Sequence, residues 1–246
     1  MKIIAPSKIK IRFILFLSLI TIIIGIAGGN LIVNLFETVD VSVKNLKYKT
    51  VIIDAGHGGP DGGTSAVDGT LEKDINLQIA HKLNEFLMSM GIETVMIRTD
   101  DISVHDSDAE TIREKKVSDI KNRLSILNNT DNAVFVSIHQ NHFSQEKYNG
   151  TQVFYSKNHP DSSVLADNIR HSVITGLQPE NSREIKQSGQ EIYLLHHAEN
   201  PAVMVECGFL SNNKEAELLK DEIYQRKLAL FIALGIMDFI NKTEAV

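Results

Sequence analysis

The sequence predicts an α/β fold: one sandwich domain with a central mixed, mostly parallel sheet flanked by helices. Two observations lead there. Short apolar, β-branched runs recur at residues 51–53, 133–138 and 202–205. Between them lie segments whose apolar residues repeat at three- and four-residue steps. Strands alternating with amphipathic helices build layered sheets with both faces covered.

The elements follow in order. Residues 51–53 form a buried strand that runs into the glycine-rich stretch 56–63. Ile75, Ile79, Leu83, Leu87 and Met90 share one helical face. Gly91 stands where a left-handed C-cap closes that helix. Residues 92–97 read as a second strand and 100–111 as an acidic surface loop. Val117, Ile120, Leu124 and Leu127 mark a second helix. Residues 133–138 are apolar at nearly every position, as a central strand covered on both faces requires. Residues 152–155 read as a further strand, and Leu165, Ile169, Val173 and Leu177 as a third helix. Residues 186–200 read as a loop and 202–205 as another buried strand. Asn212 and Glu215 then have capping-box spacing before a helical stretch reaching Ile240.

The N-terminus is different in kind. Lys2, Lys8, Lys10 and Arg12 precede an apolar run over residues 13–27, and the apolar character resumes at 31–33. Basic residues stay on the cytoplasmic side, so the remainder is expected outside. The run has the length of a bilayer-spanning helix. Ala27 and Gly29 offer the alternative of a signal-peptidase site and a secreted protein. The expected organisation is a signal anchor at 1–36, a polar stalk at 37–49 and a catalytic domain at 50–243. The net charge of -6 argues against a nucleic-acid partner. A single cysteine, Cys207, excludes an internal disulfide framework.

Three strands end in unusual polar groups: Asp54-Ala55-Gly56-His57, Ser137-Ile138-His139-Gln140-Asn141-His142, and Glu206-Cys207-Gly208. Glu72 precedes the first helix. In an α/β sheet, loops at the carboxyl ends of strands gather on one edge. His57, Glu72, His139 and Glu206 are therefore expected to converge. Two imidazoles and a carboxylate suit a catalytic zinc ion, which keeps a further position for water. Glu206 is the candidate to move protons to and from that water. Taken singly, each has a plainer reading: a hydrogen-bonded loop histidine, a helix-start glutamate, half of an ion pair. No short metal motif is present, so the metal reading needs all four together.

The segments VIIDAGHGG at 51–59, LEKDIN at 71–76, SIHQN at 137–141 and VECGFLSN at 205–212 resemble the zinc-dependent N-acetylmuramoyl-L-alanine amidases of type 3. The likeness runs in order from Val51 to the C-terminal helix. It implies a mixed-sheet α/β sandwich that cleaves the amide between N-acetylmuramic acid and L-alanine in peptidoglycan. It implies His57, Glu72 and His139 as zinc ligands and Glu206 as the catalytic acid and base. The GHGGPDGG run at 56–63 and EIYLLHHAENPAVMVECGFLSN at 191–212 resemble the germination-specific branch of spore formers, whose members act on the spore cortex toward muramic-δ-lactam. His142 and Cys207 depart from the usual pattern. Asn141 and Arg98 are candidate substrate contacts; Arg98 can equally brace Asp100 or Asp101. The expected setting is the extracytoplasmic face of the membrane, in the cell wall or the forespore intermembrane space. Three other readings stand beside this one: a zinc peptidase or amidohydrolase with another substrate, a thiol enzyme using Cys207, and a non-catalytic tethered wall-binding protein.

Overall fold

The computed structural model describes residues 46–243. The predicted anchor, and most of the stalk, lie outside the described residues. Among the described residues no helix is long and apolar enough to cross a membrane. The last residues of the predicted stalk pack on the domain: Tyr48 is buried, stacks on Phe239 with ring centroids 5.5 Å apart and donates its hydroxyl to Asp161 at 2.6 Å.

Among the described residues six strands form one sheet: β1 (Thr50–Ala55), β2 (Glu93–Met96), β3 (Ala133–Asn141), β4 (Gln152–Tyr155), β5 (Lys186–Gln187) and β6 (Ala202–Phe209). Their spatial order is β2-β1-β3-β6-β4-β5, and only the β4–β6 pair is antiparallel. The helices are α1 (Glu72–Ser89), α2 (Ile112–Asn128), α3 (Asp161–Gly176), α4 (Tyr193–His197), α5 (Asn213–Lys220) and α6 (Glu222–Lys242).

The period-two alternation of strands decides what each face buries. Val51, Ile53, Val134, Val136, Val203 and Val205 point to one face, under Leu83 of α1, Ile169 of α3 and Ile232 of α6. Ile52, Ala133, Phe135 and Ala202 point to the other, under Leu127 of α2 and Leu194 and Leu195 of α4. The same alternation sends Asp54, Ser137, His139 and Glu206 to this second face. The second face is thus apolar at the start of the strands and polar toward their carboxyl ends. Moreover, β2 and β3 flank β1 on opposite sides, so the winding direction reverses there. Ligand sites in open α/β sheets lie at such a reversal, outside the carboxyl ends.

Several local features match the reading of the sequence, and others refine it. Helix α1 ends in a Schellman motif around Gly91, whose φ is 81°. Ile92 N–H donates to Leu87 and Gly91 N–H to Met88, both at 3.0 Å. The C-terminal helical stretch is two helices rather than one. Asp221 breaks it in an extended conformation and caps α6 through the amide of Tyr224. The Asn212–Glu215 box is half formed. Asn212 caps α5, but the Glu215 carboxylate turns away and accepts from the amides of Gly150 and Phe209. Residues 186–200 hold a two-residue strand and one turn of helix where a loop was expected. Such short elements depend on tertiary packing and carry little pattern of their own.

Candidate active site

The switch point brings together residues from four elements. His57 follows β1 in the left-handed region, with φ 63°. A non-glycine residue held there costs about 1–3 kcal/mol, so the surroundings must fix it. Arg123 of α2 does so, donating to the His57 carbonyl at 2.7 Å and to the Ala55 carbonyl at 3.0 Å. Arg123 is itself held by the buried Asp54 carboxylate at 2.5 Å and by Asp119 at 2.7 Å. Ser137 donates to the other Asp54 oxygen at 2.6 Å. Burial pushes the Asp54 carboxyl up, but the Arg123 guanidinium and the Ser137 hydroxyl outweigh it and hold Asp54 below its ordinary value.

Glu72 stands at the start of α1, buried, between the two imidazoles. Its Oε2 is 3.3 Å from His57 Nε2, and its Oε1 is 2.9 Å from His139 Nδ1. The amides of Thr64 and Gln140 donate to its two oxygens at 2.9 and 3.0 Å. Burial alone raises this carboxyl; the hydrogen bonds from His139 and His57 reverse that and hold it well below the usual range. One ligand atom from each of His57, Glu72 and His139 falls within 4.8 Å of the others, so the trio can hold a metal ion. Two donors on one tetrahedral zinc lie roughly 3.3 Å apart, a spacing close to those found here.

Two neighbours support this donor set. Asp61 accepts from His57 Nδ1 at 2.9 Å and is anchored by Lys116 at 2.9 Å. That bond fixes the ring and turns Nε2 toward the cluster, the usual arrangement behind a ligating histidine. Burial lowers the His57 pKa, but its bonds to Asp61 and Glu72 win and lift it to about 9. A metal entering here therefore displaces a proton, and uptake is expected to strengthen as pH rises. The sequence reading did not single out Asp61; its only signal was a carboxylate four residues after the histidine. Gly63, with φ 68°, fits where a Cβ would stand 2.5 Å from Glu72 Oε2 and 2.7 Å from His57. Gly63→Ala is expected to weaken metal affinity by roughly 10–100-fold, measured by competition with a chromogenic chelator.

Glu206 sits on β6 directly across from His139. Adjacent strands are about 4.8 Å apart, so the carboxylate stands beside the trio. Its Oε2 is shut off from solvent and has no hydrogen-bond partner among the described residues. Burial pushes this carboxyl up to about 7. A buried oxygen without a donor, next to three metal-type ligands, is consistent with a site built for an ion and its water. The adjoining cavity of about 300 Å³ is lined by His57, His139, Lys116, Ile192, Tyr193 and Met204 among others. Helix α4, which supplies Tyr193, was not anticipated from the sequence.

The remaining candidates fall elsewhere. Arg98 is 2% exposed, and four of its five N–H groups donate to the carbonyls of Ala55, Asp100, Gly56 and Lys73. It braces the loop after β1 and the start of α1, which corresponds to the bracing alternative, with backbone rather than carboxylate partners. Asn141 lies past a register shift at the end of β3 and lines a neighbouring groove. His142 is exposed. Cys207 is fully buried, and alternation turns it away from Glu206 into the apolar core of the first face. Burial pushes its thiol up, which disfavours the thiolate that nucleophilic chemistry needs.

Comparison with known proteins identifies similar sequences and folds. The family model described as N-acetylmuramoyl-L-alanine amidase matches residues 51–238. A germination-specific N-acetylmuramoyl-L-alanine amidase of Bacillus subtilis is 32% identical over 198 residues, covering 80% of this chain and 82% of that protein. The structure of the CwlD amidase of Clostridioides difficile, in complex with the GerS lipoprotein, is similar at a TM-score of 0.76 and 44% identity, covering 79% of this chain and 99% of that one. An N-acetylmuramoyl-L-alanine amidase from Clostridium difficile 630 is similar at a TM-score of 0.67 and 31% identity, covering 79% and 98%. A match over most of the described domain, on a fold that brings two imidazoles and two carboxylates to one sheet edge, places this chain in the N-acetylmuramoyl-L-alanine amidase family.

Proposed function

We propose that this chain is a zinc-dependent amidase that hydrolyses the lactyl-amide bond between N-acetylmuramic acid and the L-alanine of the stem peptide. The observation that carries the reading is the meeting of His57, Glu72 and His139 within one ion's reach, beside a buried Glu206 oxygen without a partner among the described residues. His57, Glu72 and His139 are the proposed ligands. Zinc bound there supplies Lewis-acid polarisation of the scissile carbonyl and an acidified water. Glu206 takes the proton of the attacking water on its carboxylate and returns it to the leaving alanine nitrogen. A carboxyl raised toward neutrality is suited to both transfers. Asp61 keeps the His57 ring in register, and Arg123 keeps its backbone there. Asn141 is proposed to contact the substrate beyond the reacting centre.

Residues 1–36 are proposed to tether the domain to the outer face of the cytoplasmic membrane, with 37–49 as spacer and 50–243 as the catalytic domain. The similarity to a germination-specific relative favours work on spore-cortex peptidoglycan over general wall turnover. A peptidase on the same scaffold would cut within the stem instead. Digestion of purified peptidoglycan followed by mass spectrometry separates the two. Intact stem peptides beginning with L-alanine, and sugar chains lacking peptide, are the expected products. Fragments cut between stem residues would overturn the reading.

A further inference from the structure

We propose that a groove beside the metal cluster, carrying Arg183 and Lys186, is a subsite for the α-carboxylate of the second stem-peptide residue. The inference rests on the amidase reading above and names the part of the substrate that this groove selects.

The groove has a volume of about 270 Å³ and is lined by Asn141, Tyr148, Gln152, Arg183, Lys186 and Phe209 among others. Among the described residues two cations and no carboxylate line it, in a chain whose net charge is -6. Among the described residues neither cation forms an ion pair. Arg183 is nevertheless fixed. Its Nε donates to the Asn149 carbonyl at 2.8 Å, and its guanidinium carbon lies 4.6 Å from the Phe209 ring and 5.8 Å from the Tyr148 ring. Stacking of this kind holds the guanidinium plane in place and leaves its terminal amino groups for a ligand. A planar pair of N–H donors on a rigid support matches a carboxylate.

Register ties the groove to the reacting centre. Glu206 pairs with Gln152, and Met204 pairs with Phe154, which in turn pairs with Lys186. Met204, Phe154 and Lys186 therefore stand in one row across β6, β4 and β5, on the face of Glu206 and His139. Two strand spacings across and two residues along the strand separate Lys186 from Glu206, roughly 12 Å. An extended peptide advances at most about 3.6 Å per residue, so the second stem residue lies ~7 Å from the scissile amide. The reach of a lysine side chain closes the remainder. In bacterial stems that second residue is a D-glutamate joined through its side chain. Its α-carboxyl is left free or carries an amide, and a cationic subsite distinguishes the two.

The test uses the full chain in detergent with zinc. The two substrates are disaccharide tripeptides that differ only in whether that α-carboxyl is free or amidated. The wild type is expected to favour the free carboxylate by about tenfold in kcat/KM, carried mainly by KM. Arg183→Gln should bring the ratio close to one, and Arg183→Lys should keep part of it. Lys186→Gln, at an exposed position that folding tolerates, should lower it as well. Thermal melting identifies an Arg183 variant that fails to fold, in which case Lys186→Gln decides. A wild type that treats both substrates alike, or variants that keep the wild-type ratio, would overturn the subsite. A wild type that releases stem peptide from neither substrate overturns the amidase reading instead.

Discussion

Glu206→Gln is expected to lower turnover by about 10²–10⁴-fold while zinc content stays at the wild-type level. The amide keeps the size of the side chain and one acceptor oxygen but cannot take up or release the proton. The same substitution has a second expected consequence, read on the metal-free protein. Burial lifts Glu206 from 4.5 to about 7. The folded state therefore binds a proton that the unfolded state has already lost. Stability from this group is fully present below pH 4.5 and is lost as pH rises through 7, at a cost of about 3 kcal/mol. Glu206→Gln removes that slope. Denaturant titrations of the metal-free protein at pH 5 and pH 8 should differ clearly for wild type and much less for the variant. Equal slopes in both would contradict the burial argument, and unimpaired turnover would contradict the catalytic role.

Arg123→Leu is expected to destabilise the domain by about 3–5 kcal/mol, because it leaves the Asp54 carboxylate buried without its counter-charge. That is a large share of the roughly 5–15 kcal/mol that holds a domain folded. The loss should show as a lower urea midpoint with an unchanged m-value. Asp54 has its folded pKa depressed, so its contribution is present above its ordinary pKa of 3.8 and fades as pH falls. The difference between wild type and Arg123→Leu should therefore shrink in acid. Adding Asp54→Asn to Arg123→Leu should recover part of the loss by removing the orphaned charge. A single variant within 1 kcal/mol of wild type would show that the pair is not what holds β1 to α2. The His57 carbonyl loses its brace in the same change, so metal affinity should fall too.

These two residues mark where the sequence was legible and where it was not. Glu206 could be picked out as a candidate because it ends an apolar strand in step with two other polar strand ends, and because the flanking residues resemble known amidases. The strands β1, β3 and β6 were legible from unbroken apolar runs, and the end of α1 from Gly91. Arg123 was invisible, since a charged residue inside an amphipathic helix reads as solvated until its partner, 69 positions earlier, is placed beside it. Asp61 was hidden for a related reason. It lies in a glycine-rich loop whose path decides whether it meets His57 or water. Arg98 turned on the direction the chain takes after β2, which no local pattern encodes. The elements β5 and α4 are too short to carry a period. They form because β4 offers an edge to pair with and Leu194 and Leu195 fill the second face.

The most direct test of the account is the metal content of the purified chain, set beside its activity on peptidoglycan. One zinc per chain is expected in the wild type and in Glu206→Gln, with loss of both metal and activity in His139→Ala. Wild-type activity that survives exhaustive chelation, or a His139→Ala variant that keeps its zinc and its turnover, would contradict it.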